Sequence, residues 1–381
     1  MGDNPRIVRI EFGVITARRP RNAGSNARLG DHGIEIRVPL VRLTTDSGVS
    51  GFGRCPTTPE QAQRLLGQEL SALFSPQTGV LDAWLPFEFP LWDLIGQARG
   101  LPVYALLAAI NGHTPPEPFT VPCYNTSLYF DDLHLTSTVE AAELLASFAR
   151  EGYAVGHRAF KIKVGRGARH MPLEEGCARD IAIVRAIREA VGPGLPLMLD
   201  ANNGYNLNLT KRVLAETADC GIFWMEEAFH EDAVLYRDLK AWMQAQGLSV
   251  LIAEGEGQAS PTLMDWARDG IVDVIQYDVL HPGLTRWLSL GRQLDAWGVR
   301  SAPHHYGSHF GNYASCHLAA AIQGFTFAEW DEAATPGLDT SAYAIHEGRV
   351  SVPNAPGFGL TLDADRFRHA VANGGFVLEA D

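Results

Sequence analysis

Between residues 195 and 254 the chain reads LPLMLD at 195–200, IFWME at 222–226 and SVLIAE at 249–254, three short apolar runs that each close on a carboxylate. Runs of this length, bounded by amphipathic helical stretches, are the pattern of strands buried on both faces of a parallel sheet. The same pattern continues in both directions. Upstream stand FTVPCY at 119–124 and AFKIKV at 159–164; downstream stand VDVIQY at 272–277, VRSAPH at 299–304 and FTFAE at 325–329. Eight such runs with helices between them predict a TIM-type barrel rather than an open sheet. The intervening helix signals include residues 231–246 with an apolar face, and Ser260 as an N-cap with Pro261 in the first turn.

Ahead of the barrel pattern, Arg6 to Thr16 and Ile34 to Thr45 read as strands, with Asp46-Ser47-Gly48 turning into a third, and helical patterns follow at about 58–74 and 90–111. These elements predict an α+β domain of about 115 residues. The segment 17–33 between the first two strands carries four arginines and no apolar periodicity, which predicts a mobile loop. As a lid over the barrel mouth it would bring Arg18, Arg19, Arg21 or Arg28 to an anionic substrate; the plain alternative is solvated surface. After Trp330 the stretch GRVSVPNAPGFGLTLD at 348–363 reads as loops and short strands returning to the first domain. The expected division is a capping domain over 1–118, completed by about 349–381, and a barrel over 119–348.

Composition limits the function classes. With 381 residues, 46% hydrophobic and 20% charged, the chain is neither disordered nor an integral membrane protein. A net charge of -13 argues against nucleic acid and anionic membranes as partners. Five cysteines, an odd number with no CxxC, fit a reduced cytoplasmic setting, and no targeting segment is read at the N-terminus. The stretch from Phe310 to Ala328 lacks Asp, Glu, Lys and Arg, but Asn312, Ser315, His317, Gln323 and Gly324 interrupt it, which predicts a buried helix and then a buried strand.

Nearly every apolar run ends in a group able to do chemistry: Lys161 and Lys163, Asp200, Glu226, Glu254 or Glu256, Asp278, His304 and Glu329. Counted from Lys163 through Asp200, Glu226, Glu256, Asp278 and His304 to Glu329, the steps are 37, 26, 30, 22, 26 and 25 residues, near the roughly 31 per unit of a typical barrel. Barrel active sites lie at the C-terminal ends of the strands, so a consecutive series there points to one site. Three acids on successive strands repel one another unless a cation neutralises them, and an all-carboxylate set suits Mg²⁺, with Mn²⁺ second. Lys161 and Lys163 share a strand face, where each charge would lower the other's pKa and make one amine a usable base. On the opposite flank Asp278 can orient the imidazole of His304. His305, His309 and His317 keep a structural reading.

Together KIKVG (161–165), LMLDANNGYN (197–206), FWMEEAF (223–229), IAEGEG (252–257), VIQYDV (274–279), APHHYGSHFGNYASCHLAAA (302–321) and FAEW (327–330) resemble the mandelate racemase subgroup of the enolase superfamily. LWDLIGQARGLPVYALL (91–107) and VPNAPGFG (352–359) are similar to capping segments of that family, so the resemblance covers almost the whole chain. It implies a modified (β/α)7β barrel with an N-terminal α+β capping domain completed by the tail, a Mg²⁺ ion, and abstraction of the proton α to a carboxylate. By the same resemblance Lys163 is the base and Lys161 its modulator, Asp200, Glu226 and Glu256 hold the metal, Asp278 and His304 form the dyad, and Glu329 is the strand-eight acid. Two positions depart from the family pattern. Glu254 offers a second carboxylate beside Gly255-Glu256, and Ala228 replaces the usual proline, leaving Glu227 a supporting role.

Bases on both faces of an acidified carbon allow two outcomes. The expected one is dehydration of an acid sugar to a 2-keto-3-deoxy acid, with Glu329, when protonated, donating to a carboxylate oxygen and a homo-oligomer as the working form. A racemase or epimerase of a 2-hydroxy acid is the second, and a non-catalytic sugar-acid-binding barrel is the alternative from another class.

Overall fold

The computed structural model describes residues 4–380. Alternating burial along β1 (Ile7–Ala23) and β2 (Gly33–Thr45) makes them half-buried antiparallel strands, and β3 (Ser50–Arg54) completes the hairpin. The expected mobile loop is shorter than its composition suggested. Ala17 pairs with Ile36, Arg18 with Glu35 and Ala23 with Gly33, so residues 17–23 continue β1 and only about 24–32 connect the strands. Ala17, Ala23 and the stem of Arg19 are buried on one face, which is why an arginine-rich segment forms a strand.

The helix α1 (Glu88–Arg99) packs behind this sheet, and α2 (Val103–Ile110) follows it and packs against residues 310–321. The single helix expected over 90–111 is broken because Gly100 adopts φ 64° as a left-handed C-cap and Pro102 follows. The helix expected over 58–74 shrinks to Pro59–Gln63 with a separate 3-10 turn at Leu70–Ala72. Gly51 and Gly53 let β3 lie flush on α1: a Cβ at Gly51 would fall 2.3 Å from the Leu94 nitrogen. Asp93 of α1 is buried and accepts from the Phe52 nitrogen at 2.9 Å and the Phe358 nitrogen at 2.8 Å, tying β3 and the chain's last part to one helix.

Burial raises the Asp93 carboxyl to about 7, against the pull of those two N–H groups. A carboxyl whose folded pKa is raised contributes stability that is fully present below its unfolded pKa and is lost as pH climbs to the folded value. Asp93→Asn is therefore expected to lose less stability than wild type between about pH 4 and 7, measured by denaturant titration across that range. Asp93→Ala leaves two buried N–H groups unpaired, with an expected cost of about 2–4 kcal/mol.

The barrel strands are β4 (Thr120–Leu128), β5 (Phe160–Lys163), β6 (Leu197–Asp200), β7 (Ile222–Glu226), β8 (Leu251–Glu254), β9 (Val274–Ile275), β10 (Arg300–Ser301) and β11 (Ala328–Trp330). Neighbours from β4 to β10 pair in parallel, and β11 returns to pair with β4. An isolated parallel bridge between Ser301 and Phe325, just ahead of β11, joins the last two strands. Seven helices connect them: α3 (Thr138–Ala154), α4 (Leu173–Val191), α5 (Leu207–Glu216), α6 (Ala233–Ala245), α7 (Leu263–Arg268), α8 (Leu284–Trp297) and α9 (Phe310–Leu318). The architecture is the (β/α)7β barrel with its α+β capping sheet. Asp232 caps α6, but α7 starts after Thr262 with no side-chain cap, and Ser260, the expected N-cap, instead donates its backbone N–H to Glu231.

Inside the barrel each strand contributes one residue to a small apolar layer: Tyr124, Ala159, Met198, Trp224, Ala253, Val274 and Ala302, with Phe327 packed against them. Strand alternation then dictates what points inward two residues further on, namely Thr126, Lys161, Asp200, Glu226, Gly255, Gln276, His304 and Glu329. The tail pairs twice, first as β12 (Arg349–Ser351) against β4 of the barrel and, after the helix α10 (Ala364–Ala372), as β13 (Phe376–Glu379) against β1.

Candidate active site

That upper layer is a cluster of charges sealed from water. Asp200 and Glu226 sit side by side in the β6–β7 register. Oxygens of Asp200, Glu226 and Glu256 all lie within 4.8 Å of one another. Glu256 reaches this group because Gly255, at φ 122°, ends the strand alternation and turns the chain back to the barrel mouth.

The same turn decides between the two glutamates of strand β8. Glu254 and Glu256 do not share a face. Ala253 belongs to the interior layer, so Glu254 points the other way, between strand and helices, where the hydroxyl of Tyr236 donates to it. Glu227 also stays outside the trio. It adopts φ 42° and accepts from Asn202 at 3.0 Å and Asn203 at 3.2 Å.

Lys161 Nζ stands among three carboxylates, 2.8 Å from Glu226, 3.3 Å from Asp200 and 3.3 Å from Glu329. Lys163 donates to Asp200. Mutual depression of the two amines is not what this arrangement produces. Burial and the Lys161 charge push Lys163 down, but Asp200 together with Glu256 and Glu226 holds it above the usual lysine range. Lys161 is held higher still, burial being outweighed by Glu226, Glu329 and Asp200. Burial would raise Asp200, yet Lys163 and Lys161 hold it low, whereas burial and the Asp200 charge push Glu226 up.

Across the mouth, His304 Nδ1 lies 3.3 Å from Asp278 Oδ2, and its Nε2 lies 3.6 Å from Glu256 and 3.9 Å from Glu329. The other Asp278 oxygen accepts from the Leu280 nitrogen at 2.7 Å, which orients the carboxylate. Burial disfavours the imidazolium, but Glu256, Glu329 and Asp278 together lift its pKa to about 10. Glu329 does not behave as a proton donor. Burial would raise it, but the charges of Lys161 and His304 hold it well below the usual range, and it accepts from Thr126 at 2.7 Å, the His305 nitrogen at 2.7 Å and the Tyr306 nitrogen at 3.0 Å. His305 bonds the Glu329 carbonyl, His309 meets Thr335, and His317 bridges the Tyr104 nitrogen and Tyr343.

Three neighbours went unread in the sequence. Trp224 Nε1 and Gln276 Nε2 donate to the same Glu226 oxygen at 3.0 and 2.9 Å, and the ring of Tyr129 lies 5.2 Å from Lys163 Nζ. Trp224 and Gln276 were legible by alternation, each standing two residues before an acidic strand-end residue. Of the arginines in 17–33, Arg18 pairs with Glu35, Arg19 with Asp331, and Arg21 with Glu151 and Glu332. Arg28 alone of the four reaches toward the mouth, 4.0 Å from Glu227.

The donor set fits a hard divalent cation: three carboxylates converge, and the buried Glu256 Oε2 has no hydrogen-bond partner. The family described as enolase C-terminal domain-like matches residues 143–366. Among solved structures, galacturonate dehydratase from Geobacillus sp., complexed with D-galacturonate and 5-keto-4-deoxy-D-galacturonate, is 48% identical with a TM-score of 0.93 over 99% of this chain and 100% of that one. A variant of that enzyme complexed with Mg superposes with a TM-score of 0.96 over 100% and 98% of the two chains. D-galactarolactone cycloisomerase of Agrobacterium fabrum is 27% identical over 86% of this chain and 89% of its own. With the family matched over more than half its length and the fold shared from end to end, the chain belongs to the enolase superfamily, in its mandelate racemase/muconate lactonizing group.

Proposed function

We propose that this protein is a Mg²⁺-dependent hydro-lyase that dehydrates an acid sugar, with D-galacturonate as the first candidate substrate. The observation that carries the reading is the convergence of Asp200, Glu226 and Glu256 between Lys163 on one flank and the Asp278–His304 pair on the other. The 48% identity to a galacturonate dehydratase supports dehydration over racemisation.

A proton beside a carboxylate is weakly acidic because its loss puts a second negative charge on the same group. Mg²⁺ held by Asp200, Glu226 and Glu256 would supply positive charge to a carboxylate oxygen as that charge develops. Lys161, buried beside the trio, adds a fixed cation. Lys163 takes the α-proton at Nζ. It must be neutral to do so, and Asp200, which holds it protonated, is one of the oxygens a cation would engage. His304, kept protonated by its carboxylate neighbours and oriented through Nδ1 by Asp278, gives its Nε2 proton to the β-hydroxyl, which leaves as water. The remaining enol becomes a keto group on the α-carbon. Counted from the carboxyl carbon this is a 2-keto-3-deoxy acid; counted from the other end of a hexuronate it is the 5-keto-4-deoxy product.

The test is keto-acid formation from D-galacturonate with Mg²⁺ present, alongside a panel of other acid sugars. Exchange of the α-proton in D₂O without keto acid would favour a racemase, and absence of both would favour a binding protein. Gln276→Leu removes one of the donors that orient Glu226, and is expected to weaken Mg²⁺ binding about 10- to 100-fold by titration calorimetry.

In the same reading residues 1–118 with the end of the tail form the cap and 119–348 the barrel, in a cytoplasmic homo-oligomer that light scattering can size. All five cysteines are unpaired and buried, which suits a reducing compartment. No helix among the described residues is long and apolar enough to cross a membrane.

A further inference from the structure

The turn that follows Lys163 is held by a closed set of charges. Arg166, three residues past Lys163, is fully buried, and Gly176 lets the start of α4 lie flush on the turn 166–168, since a Cβ there would fall 2.2 Å from the Gly167 nitrogen. That contact brings Asp180, about one turn further along α4, to the guanidinium. Nη1 of Arg166 lies 2.7 Å from Asp180, Nη2 lies 2.6 Å from Asp132 beyond the end of β4, and the ring of Phe130 covers the guanidinium at 4.2 Å. Arg179 adds a second cation 3.5 Å from Asp132. All four groups are buried, and their charges cancel.

This cluster reaches the site through the main chain. Arg166 Nη1 donates to the Lys163 carbonyl at 3.2 Å, and Asp180 Oδ2 accepts from the Gly165 nitrogen at 2.8 Å and the Arg166 nitrogen at 3.2 Å. The same oxygen accepts from the Tyr205 hydroxyl at 2.8 Å, and Tyr205 belongs to the loop that follows Asp200. One aspartate therefore binds the end of β5, which carries Lys163, to the end of β6, which carries a carboxylate of the trio. Buried ion pairs add little stability over an apolar filling of the same shape. What they add here is direction, because the hydrogen bonds of Asp180 and of the planar guanidinium have preferred geometries.

We propose that Arg166 and Asp180 are positioning residues for the base: they fix the main chain of Lys163 against the loop after Asp200, so that Nζ stays aimed at the α-carbon. The inference rests on the dehydratase reading. There Lys163 is neutral when it takes the proton and Asp200 engages the cation, so the ion pair between them is not what aims the amine. The backbone then carries the alignment, and a displacement of about 1 Å at a reacting group costs on the order of a hundredfold in rate. Fully buried, neither residue meets the substrate, and the neutral cluster brings no net charge to the site.

The experiment compares Arg166→Lys and Tyr205→Phe with wild type as full-length, Mg²⁺-loaded enzymes. It follows α-proton exchange in D₂O and keto-acid formation from D-galacturonate, with Mg²⁺ and D-galacturonate affinities by titration calorimetry and the melting temperature alongside. Arg166→Lys keeps the charge but loses the fork that reaches Asp132, Asp180 and the Lys163 carbonyl together. It is expected to lower exchange and kcat in parallel by at least about tenfold, with KM and both affinities within about threefold of wild type. Tyr205→Phe removes one hydroxyl and should lower both rates by about three- to tenfold. A lower melting temperature with unchanged kcat would mean that the cluster only stabilises the fold, and overturns the inference. Losses of Mg²⁺ affinity as large as the losses of rate also overturn it, since they would mean general damage to the site. An unchanged Tyr205→Phe beside an impaired Arg166→Lys would refute the link to the Asp200 loop, and if Arg166→Lys does not fold, Tyr205→Phe decides alone. A wild type that exchanges the α-proton without forming keto acid removes the dehydratase reading, and exchange by the variants still decides the positioning. A wild type that does neither removes both.

Discussion

Lys163→Ala and His304→Ala are each expected to lower keto-acid formation by about a thousandfold or more. The two groups stand on opposite flanks of the acidic trio, Lys163 against Asp200 and His304 between Asp278 and Glu256, so neither reaches the other's proton. Their residual chemistry should differ. His304→Ala keeps the amine that takes the α-proton, and in D₂O it should still exchange that proton while forming no keto acid. Lys163→Ala should do neither. NMR of the α-proton, run beside a keto-acid assay, separates the two variants. Full turnover in either one would contradict the assignment, and exchange by Lys163→Ala but not by His304→Ala would reverse the two roles.

Removing divalent cations with a chelator is expected to abolish turnover, and Mg²⁺ should restore it. The ligand assignment is tested by a pair of glutamates two positions apart. Glu256→Ala opens the trio and should weaken Mg²⁺ binding by at least about a hundredfold, more than is usual for the loss of a supporting contact. Glu254→Gln alters a group that faces Tyr236 on the far side of the strand, and should leave Mg²⁺ affinity within the roughly tenfold range of outer contacts. Near-equal losses in the two variants would mean that both carboxylates reach the ion.

Pattern and position made much of this site legible. Period-two alternation puts Lys161, Asp200, Glu226, His304 and Glu329 on the inner face of successive strands, two residues beyond the apolar layer, and alternation is a local property of the chain. It fails where the strand ends. Counting by twos places Glu254 and Glu256 together, but the left-handed conformation of Gly255 lies between them and sends their carboxylates to opposite sides. Composition misled in the segment 17–33, where arginines and a proline suggested a loop although the apolar face of 17–23 was sufficient to continue β1.

The sequence by itself determined the order of strands and helices, the cap-then-barrel plan and the set of charged residues at the strand ends, because each depends on local periodicity and spacing. The protonation of those residues was decided only by the tertiary structure. Two lysines close in sequence predict mutual depression, yet Asp200, Glu226 and Glu329 come from three other strands and reverse the sign; the same assembly leaves Glu329 ionised and His304 charged. Coulomb interactions depend on distances in space and on burial, and neither is encoded by neighbours along the chain.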